Sequence, residues 1–351
     1  MKVLAFLLVL FTAVNAEAKI WRVNNNVGIA ADFTTLQLAH NGAAAGDTLY
    51  LEGSNTSYGT LTSTKQLTII GPGYFLEFVP NSQVGQMTAR VGDIALNLGA
   101  AGTAIMGLDL YANTINIYCN DVTIRKNKFY SPNGSDQAYY YGIVKLQHVN
   151  NNGNNPGVSN IVIAQNCGLF IEATKPSNNI LITNNILGYS TNYGEATVNP
   201  CIDGGQNTVM LIQNNIIRRG KLNVFGSTIT NNIMFNGFFA ANNNLYSNNI
   251  CNGTQFGTDN GNQSNVTMAA VFAGTGAPDE YYKLKPGSPA IGAGYGSTAG
   301  NQIDCGIYSG SLPYVVAGLV NMPVIYFFNN QPIGSNTDPI KVNVKVRAVG
   351  N

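Results

Sequence analysis

A short template recurs through the middle of the chain and constrains its fold more than any other feature. It reads apolar, any, apolar, any, any, Asn, any, apolar, with clear copies at 122–129, 180–187 and 210–217. Successive template Asn residues are 39, 19, 30, 17 and 17 positions apart, a range expected of stacked repeats. These residues are Asn127, Asn166, Asn185, Asn215, Asn232 and Asn249.

Each repeat is too short for two helices, and the apolar residues within it alternate with period two. This alternation and the many β-branched side chains indicate strands. We therefore predict that each repeat forms one coil of a solenoid, with coils that pair in parallel at about 4.8 Å. Such a solenoid buries its strands by closing on its own interior, so it needs no covering helices.

The recurring Asn has a structural explanation. A coil turns sharply between its strands, and Asn tolerates the left-handed backbone conformation better than most residues. Stacked Asn side chains can also hydrogen-bond from coil to coil and satisfy the amides of the turns. We therefore interpret these residues as turn and stacking residues rather than as ligands.

Low charge excludes several classes of partner. Only 10% of the residues are charged, and 18 Lys+Arg against 17 Asp+Glu give a net charge of +1. Nucleic-acid binding needs a basic stripe, and binding to an anionic membrane surface needs a polybasic segment. Hydrophobic residues make up 45% of the chain, which is enough to bury a core.

The first 16 residues have the pattern of a secretory signal peptide. Lys2 precedes an apolar run from Val3 to Phe11, and Ala16 ends a small-residue cleavage site. The run is too short to span a bilayer, and no later stretch reaches that length. We therefore predict a protein that is secreted, periplasmic or on the cell surface, with no membrane span.

The segment 17–52 is predicted to form an N-terminal cap with the first strand. Residues 32–40 have the pattern of a short amphipathic helix, with capping-box spacing between Thr34 and Gln37. Gly46 and Asp47 then turn the chain into 48–51, which we predict to be the first strand.

Five cysteines follow the predicted cleavage site, so they cannot all pair within one chain. Their spacings match no zinc template, and we predict no metal site. Cys119, Cys167 and Cys251 lie in strand-like apolar contexts, where Cys acts as a small hydrophobic residue. Pairing of Cys201 with Cys305 stays open.

Three stretches carry a resemblance to a known class. The run Gly46-Asp47-Thr48-Leu49 after a helix, the segment 282–294 with Asp304-Cys305-Gly306, and the tail 312–351 resemble secreted right-handed parallel β-helix proteins of the pectin-lyase-like class, including uncharacterised bacterial ones. The resemblance implies an all-β, right-handed, single-stranded parallel β-helix with a short N-terminal capping helix and a C-terminal β extension. Coils would occupy 53–300, and the C-terminal cap and extension would occupy 301–351.

This class includes polysaccharide lyases and polygalacturonase-type hydrolases. A lyase needs a base beside a uronate, often with calcium held by clustered carboxylates, and a hydrolase needs paired carboxylates. The chain has no Asp-Asp pair and no Gly-His-Gly motif. We therefore predict no cofactor, with calcium relevant only to a lyase.

Insertions near 130–159 and 188–206 interrupt the repeat after the same template position, so we expect them at one edge of the solenoid. Aromatic and polar side chains on loops over a rigid scaffold suit sugar rings. The candidate substrate-binding residues are Tyr140, Lys145, His148, Tyr193, Glu195 and Asp203. Alternatively, 142–149 is a strand on which Lys145 and His148 merely face water.

Three functional hypotheses remain at this point, and the catalytic residues stay unknown. The protein binds or contacts polysaccharide or a cell-surface glycan, without a clear catalytic motif. Alternatively, it is a polysaccharide lyase that acts by β-elimination with Lys145 or His148 as base. In the third hypothesis it is a structural or adhesive surface protein. The sequence leaves the oligomeric state open.

Overall fold

The fold is an all-β parallel β-helix, as the repeat predicts. The computed structural model describes residues 17–80, 83, 85–110, 113–129, 142–148, 156–188, 200–240, 242–335 and 337–348. The predicted signal peptide lies outside the described residues. Two ten-stranded parallel sheets and a separate two-stranded antiparallel sheet make up the described strands.

The strands are short, as coils of about 20 residues require. In chain order they are β1 (Ile20–Val23), β2 (Thr48–Leu51), β3 (Leu61–Ser63), β4 (Thr68–Ile70), β5 (Ile94–Leu96), β6 (Ala104–Met106), β7 (Thr114–Ile117), β8 (Val122–Arg125), β9 (Ile143–Leu146), β10 (Ser159–Ala164), β11 (Cys167–Ala173), β12 (Asn178–Thr183), β13 (Ile186–Gly188), β14 (Pro200–Asp203), β15 (Met210–Gln213), β16 (Ile216–Asn223), β17 (Thr228–Thr230), β18 (Ile233–Phe239), β19 (Leu245–Ser247), β20 (Ile250–Cys251), β21 (Pro323–Asn330) and β22 (Val342–Ala348). The α-helices are α1 (Leu36–Gly42) and α2 (Met268–Val271), and short 3-10 helices occupy Leu76–Phe78, Leu98–Ala100, Glu280–Tyr282 and Val316–Gly318.

Strand order follows the coils. The first sheet runs β1-β2-β4-β6-β8-β10-β12-β15-β17-β19, and the second runs from β3 through β5, β7, β9, β11, β13, β16 and β18 to β20. The tenth strand of the second sheet, β14, lies beside this path and pairs with β11 and β16. Neighbouring strands pair in parallel with template positions in register, so Ile161 pairs with Val122 on one side and Ile180 on the other. All three side chains are buried. The template's apolar positions therefore form the stacked interior of the solenoid.

The template Asn residues stack as a buried file beside this interior. Asn185 Oδ1 accepts hydrogen bonds from both the backbone N–H and the side-chain Nδ2 of Asn166, each at 3.0 Å. Asn166 Nδ2 also donates to the Ile124 carbonyl at 2.9 Å. The same pattern links the successive residues of the Asn file, which are Asn127, Asn166, Asn185, Asn215, Asn232, Asn249 and Asn262.

The left-handed conformation falls one residue before the position we predicted. Asn184 has φ 55° and Asn214 has φ 54°, whereas the residues of the Asn file lie outside the positive-φ set. The residue with positive φ reverses the chain and points its side chain outward, which lets the following Asn point inward and stack. This division explains why the dipeptide Asn-Asn recurs at 184–185, 214–215, 231–232 and 248–249.

Outward-pointing residues of these turns hold the C-terminal segment, residues 271–320, against the side of the solenoid. Asn184 Nδ2 donates to the carbonyls of Ile307 at 2.7 Å and Ser309 at 2.6 Å. Asn214 Nδ2 donates to the carbonyls of Asp304 and Gly306, each at 3.3 Å. The segment thus runs back across several coils along the turns of the Asn file.

A second hydrophobic core lies between this C-terminal segment and the outside of the coils. Ile186, Ile216, Ile233 and Ile250 begin successive strands of the second sheet and are fully buried. They form one cluster with residues of the covering segment, which include Val271, Phe272, Tyr282, Ala290, Cys305, Ile307, Tyr314 and Ala317. The solenoid therefore buries apolar residues on both sides of these strands.

The N-terminal prediction needs two corrections. The first strand is β1, which precedes the helix and pairs with β2, so the strand we predicted as first is the second. The N-cap of α1 is Thr35, whose hydroxyl accepts from Leu38 N at 3.3 Å, rather than Thr34. Leu36 and Ala39 are fully buried, because they share the face of α1 that packs on the first coils.

At the other end, β21 and β22 form an antiparallel hairpin. Its apolar side chains are well exposed, with Phe328 at 52% and Val346 at 59%. Within the described residues, no helix is long and apolar enough to cross a membrane.

Candidate functional site

Five outward-facing polar residues align on the second sheet, one from each of five successive strands. Asn116 on β7 pairs in register with Lys145 on β9, which pairs with Glu172 on β11. Glu172 pairs with Asp203 on β14, and Asp203 pairs with Asn223 on β16. We call these five residues the polar row. Parallel strands are about 4.8 Å apart, so the row presents one polar side chain per coil.

The alternation of the strands produces this row. Val144 and Leu146 flank Lys145 in sequence and are fully buried, and Ile202 beside Asp203 is buried as well. Since successive side chains of a strand point to opposite faces, Lys145 and Asp203 must point outward. The rigid interior thereby fixes the spacing of the polar row.

Contacts within the row pair its charged groups. Lys145 Nζ lies 3.0 Å from Glu172 Oε2, with side chains 31% and 39% exposed. Asn223 Nδ2 donates to Asp203 Oδ1 at 2.8 Å. The central part of the row is thus an ammonium, two carboxylates in adjacent coils, and an amide, all partly open to solvent.

Further polar groups continue the face beyond the strand ends. Gln147 Nε2 donates to Asn116 Oδ1 at 3.0 Å, and Thr174 Oγ1 donates to Gln147 Oε1 at 3.0 Å. The His148 ring packs edge-on against Tyr118 with ring centroids 5.9 Å apart. An aromatic ring and hydrogen-bonding groups therefore lie beside one end of the row.

The structure places half of the predicted site residues. Lys145 and Asp203 belong to the polar row, two strands apart, and His148 follows the end of β9. Tyr140, Tyr193 and Glu195 lie outside the described residues. Glu172, which joins Lys145 to Asp203, was missing from our prediction, because its place in the row depends on the register between coils.

Part of each predicted insertion is a strand of the second sheet. Within 130–159, Ile143–Leu146 is strand β9 of the second sheet, as the alternative interpretation of this segment anticipated. Within 188–206, Pro200–Asp203 is strand β14 of the same sheet. The segments 130–141 and 189–199 thus each lead directly into a strand that carries a member of the polar row.

The next feature is the state of the cysteines and of the side chains that could bind a metal, among the described residues. All five thiols are buried and unpaired, including Cys201 and Cys305. Burial raises the pKa of the Cys201 and Cys305 thiols to about 12, which suppresses the reactive thiolate. Across the described part of the chain, no three His, Cys, Asp or Glu side chains cluster as metal ligands would.

A second group of ionisable residues lies beneath the C-terminal segment. Asp279 is fully buried, and its Oδ2 accepts from Ala317 N at 2.6 Å and from Tyr314 OH at 3.0 Å. Tyr314 OH in turn lies 2.7 Å from Tyr74 OH on an early coil. Desolvation raises the pKa of Asp279 to about 6. This enclosed cluster fastens the segment to the solenoid, whereas the side chains of the polar row are partly exposed to solvent.

Comparisons with known proteins concern the fold. No protein-family model matches the chain, and no curated protein matches it. Among solved structures, the chain is similar to the crystal structure of pectate lyase Pel9A, with 13% sequence identity and a TM-score of 0.46. The likeness covers 84% of this chain and 97% of that chain.

Proposed function

We propose that this protein binds a polysaccharide along the polar row. The observation that carries the proposal is the alignment of Asn116, Lys145, Glu172, Asp203 and Asn223 on successive coils. A polysaccharide chain is a linear repeat of hydroxyl-bearing rings, and a row of polar side chains on a rigid sheet is its geometric complement. Each coil would offer one set of hydrogen-bonding groups to each successive section of the chain.

The chemistry of the row suits sugar hydroxyls. Carboxylates accept hydrogen bonds, an ammonium donates them, and Asn does both, so a hydroxyl finds a partner at every position. Tyr118 beside His148 adds an apolar ring surface at the edge of this face. Both segments that lead into β9 and β14 are rich in Tyr, with Tyr139, Tyr140 and Tyr141 in one and Tyr189 and Tyr193 in the other.

The lyase hypothesis would use Lys145 or His148 as the base. The Lys145 ammonium donates to Glu172 Oε2 at 3.0 Å, and an amine held in its protonated form by such an ion pair has no lone pair with which to remove a proton. The ion pair therefore favours binding over a β-elimination that uses Lys145 as the base.

Pull-down on insoluble polysaccharides and affinity electrophoresis in soluble ones test the proposal. The double variant Asn116→Ala/Asn223→Ala removes both amide ends of the row, and we expect roughly thirtyfold weaker binding, given about 1 kcal/mol for each of the two hydrogen bonds. Asn329→Ala/Asn343→Ala, an exposed pair in register on the hairpin, is the matched control and should bind normally. Equal binding by the two variants would refute a site at the polar row.

The same preparations distinguish binding from catalysis. Incubation with polyuronates, with and without calcium, should leave the absorbance of the unsaturated-uronate band unchanged. A steady rise that Lys145→Gln or His148→Gln abolishes would replace the binding proposal with the lyase. Failure to bind any polysaccharide would leave the structural or adhesive hypothesis.

A further inference from the structure

We propose that the polar row selects an uncharged polysaccharide and rejects polyuronates. This inference rests on the proposed function and concerns the class of its ligand. It follows from the signs of the charges along the row and from the contacts those charges already make.

The polar row contains one cation and two carboxylates. The cation, Lys145, is engaged with Glu172 at 3.0 Å, so its charge is met within the protein. Asp203 stands in register with Glu172 on the next strand and accepts from the neutral amide of Asn223. The middle of the row therefore has an excess of negative charge.

A polyuronate presents a carboxylate on every sugar. Laid along coils about 4.8 Å apart, such a chain would bring its carboxylates against Glu172 and Asp203. Juxtaposed like charges oppose association and suppress wrong partners. Relief of this repulsion would require Lys145 to leave Glu172, which would expose a second uncompensated carboxylate.

An uncharged chain meets no such obstacle. Its hydroxyls can donate to Glu172 and Asp203 while the Lys145–Glu172 pair stays intact, and the amides of Asn116 and Asn223 serve as donors and acceptors. Hydrogen bonds with a charged partner are the stronger kind, so the carboxylates favour a hydroxyl ligand as much as they disfavour an anion.

A further cation lies on the strand that carries Asn223. Lys221 lies on β16 two residues before Asn223, in the neighbouring row where it pairs with Phe238. The segments 130–141 and 189–199 contribute Asp136 and Glu195 and contain no Lys or Arg. By composition, these two segments therefore carry negative charge and no positive charge.

Affinity electrophoresis of the full chain tests the inference with four named probes. Galactomannan and arabinoxylan are uncharged, and polygalacturonate and alginate are polyuronates. We expect retardation by at least one uncharged probe at low and at moderate salt, and no retardation by either polyuronate. Tighter binding to a polyuronate would overturn the inference but leave polysaccharide binding intact, whereas no binding to any probe would refute the proposed function itself.

A pair of variants assigns the selectivity to the row. Glu172→Gln/Asp203→Asn removes both carboxylates, and the ratio of polyuronate to uncharged-probe affinity should rise at least tenfold. Asp259→Asn/Asp338→Asn changes the net charge equally at two exposed sites away from the row and should leave that ratio unchanged. Equal ratios in both variants would show that net charge, not the polar row, sets the preference.

Discussion

Asn185 Oδ1 accepts two hydrogen bonds from Asn166 in the preceding coil, one from its backbone N–H and one from its side chain, each at 3.0 Å. Asn185 Nδ2 donates in turn to the carbonyls of Ile163 and Thr183, at 2.8 and 2.9 Å. One buried amide therefore satisfies donors and acceptors in two coils. The cost of losing it should exceed that of an ordinary hydrogen bond, because its partners are buried and have no water to replace it.

We predict that Asn185→Ala lowers the free energy of unfolding by about 3 kcal/mol or more, because it leaves several buried donors and acceptors without a hydrogen-bond partner. Urea unfolding followed by circular dichroism measures the change. Asn343→Ala, at an exposed site on β22, should shift the free energy by less than about 0.5 kcal/mol. Similar losses in the two variants would show that the buried hydrogen bonds of Asn185 stabilise the fold no more than an exposed Asn does.

The residue immediately before each member of the Asn file should hold the C-terminal segment in place rather than stabilise the coils. Asn184→Gly/Asn214→Gly keeps the left-handed turns, because Gly accepts positive φ, but removes the bonds to the segment. We expect hydrogen exchange of 300–313 to accelerate roughly tenfold or more, at about 1 kcal/mol for each lost bond.

The control for this variant is Asn207→Gly/Asn265→Gly. Both residues have positive φ, of 64° and 57°, and neither bonds the C-terminal segment. Exchange in 300–313 should stay at the wild-type rate in this variant. If both variants accelerate it equally, backbone flexibility and not the Asn contacts would be the cause.

The sequence predicts the solenoid well because the relevant signals are local. Period-two alternation and β-branched residues lie within each template copy, and the copies at 180–187 and 210–217 overlap β12 and β15. The path of the C-terminal segment is not local. The apolar Ile186 and Ile216 point out of the solenoid, which signals that something covers them, but the spacing does not say which part of the chain does so.

The members of the polar row were also hard to predict from the sequence, because their alignment depends on contacts between distant residues. Lys145, Glu172 and Asp203 are 27 and 31 residues apart, and insertions of different length make these intervals irregular. Only the pairing of β9, β11 and β14 shows that the three residues are neighbours. We selected Lys145 and Asp203 because they lie within the predicted insertions, and that criterion gave no reason to include Glu172.

Native thiols should be inert. Burial raises the pKa of Cys119, Cys201 and Cys305 to about 12, and all five cysteines are free and buried. Because the thiolate is the reactive species, we expect an aromatic disulfide reagent at pH 8 to modify no thiol in the folded protein. In urea all five should react. Rapid modification of any thiol before unfolding would contradict the burial of that residue.

The last prediction concerns the pH dependence of stability at Asp279. Desolvation raises the pKa of this carboxyl from an ordinary 3.8 to about 6 in the folded protein, so folding favours the protonated form. Its contribution to the free energy of unfolding is therefore greatest below about pH 4 and is lost as the pH rises to about 6. At one pKa unit per 1.36 kcal/mol, the loss is on the order of 3 kcal/mol.

The variant Asp279→Asn stays neutral throughout this range and keeps an oxygen that can accept from Tyr314 and Ala317. The difference in free energy of unfolding between wild type and Asp279→Asn, measured in urea from pH 4 to pH 7, should therefore change steadily up to about pH 6 and then level off. Asp338→Asn, at an exposed site on the hairpin loop, should give a flat difference over the same range. A flat difference for Asp279→Asn as well would mean that the carboxyl ionises as freely in the folded protein as in the unfolded chain.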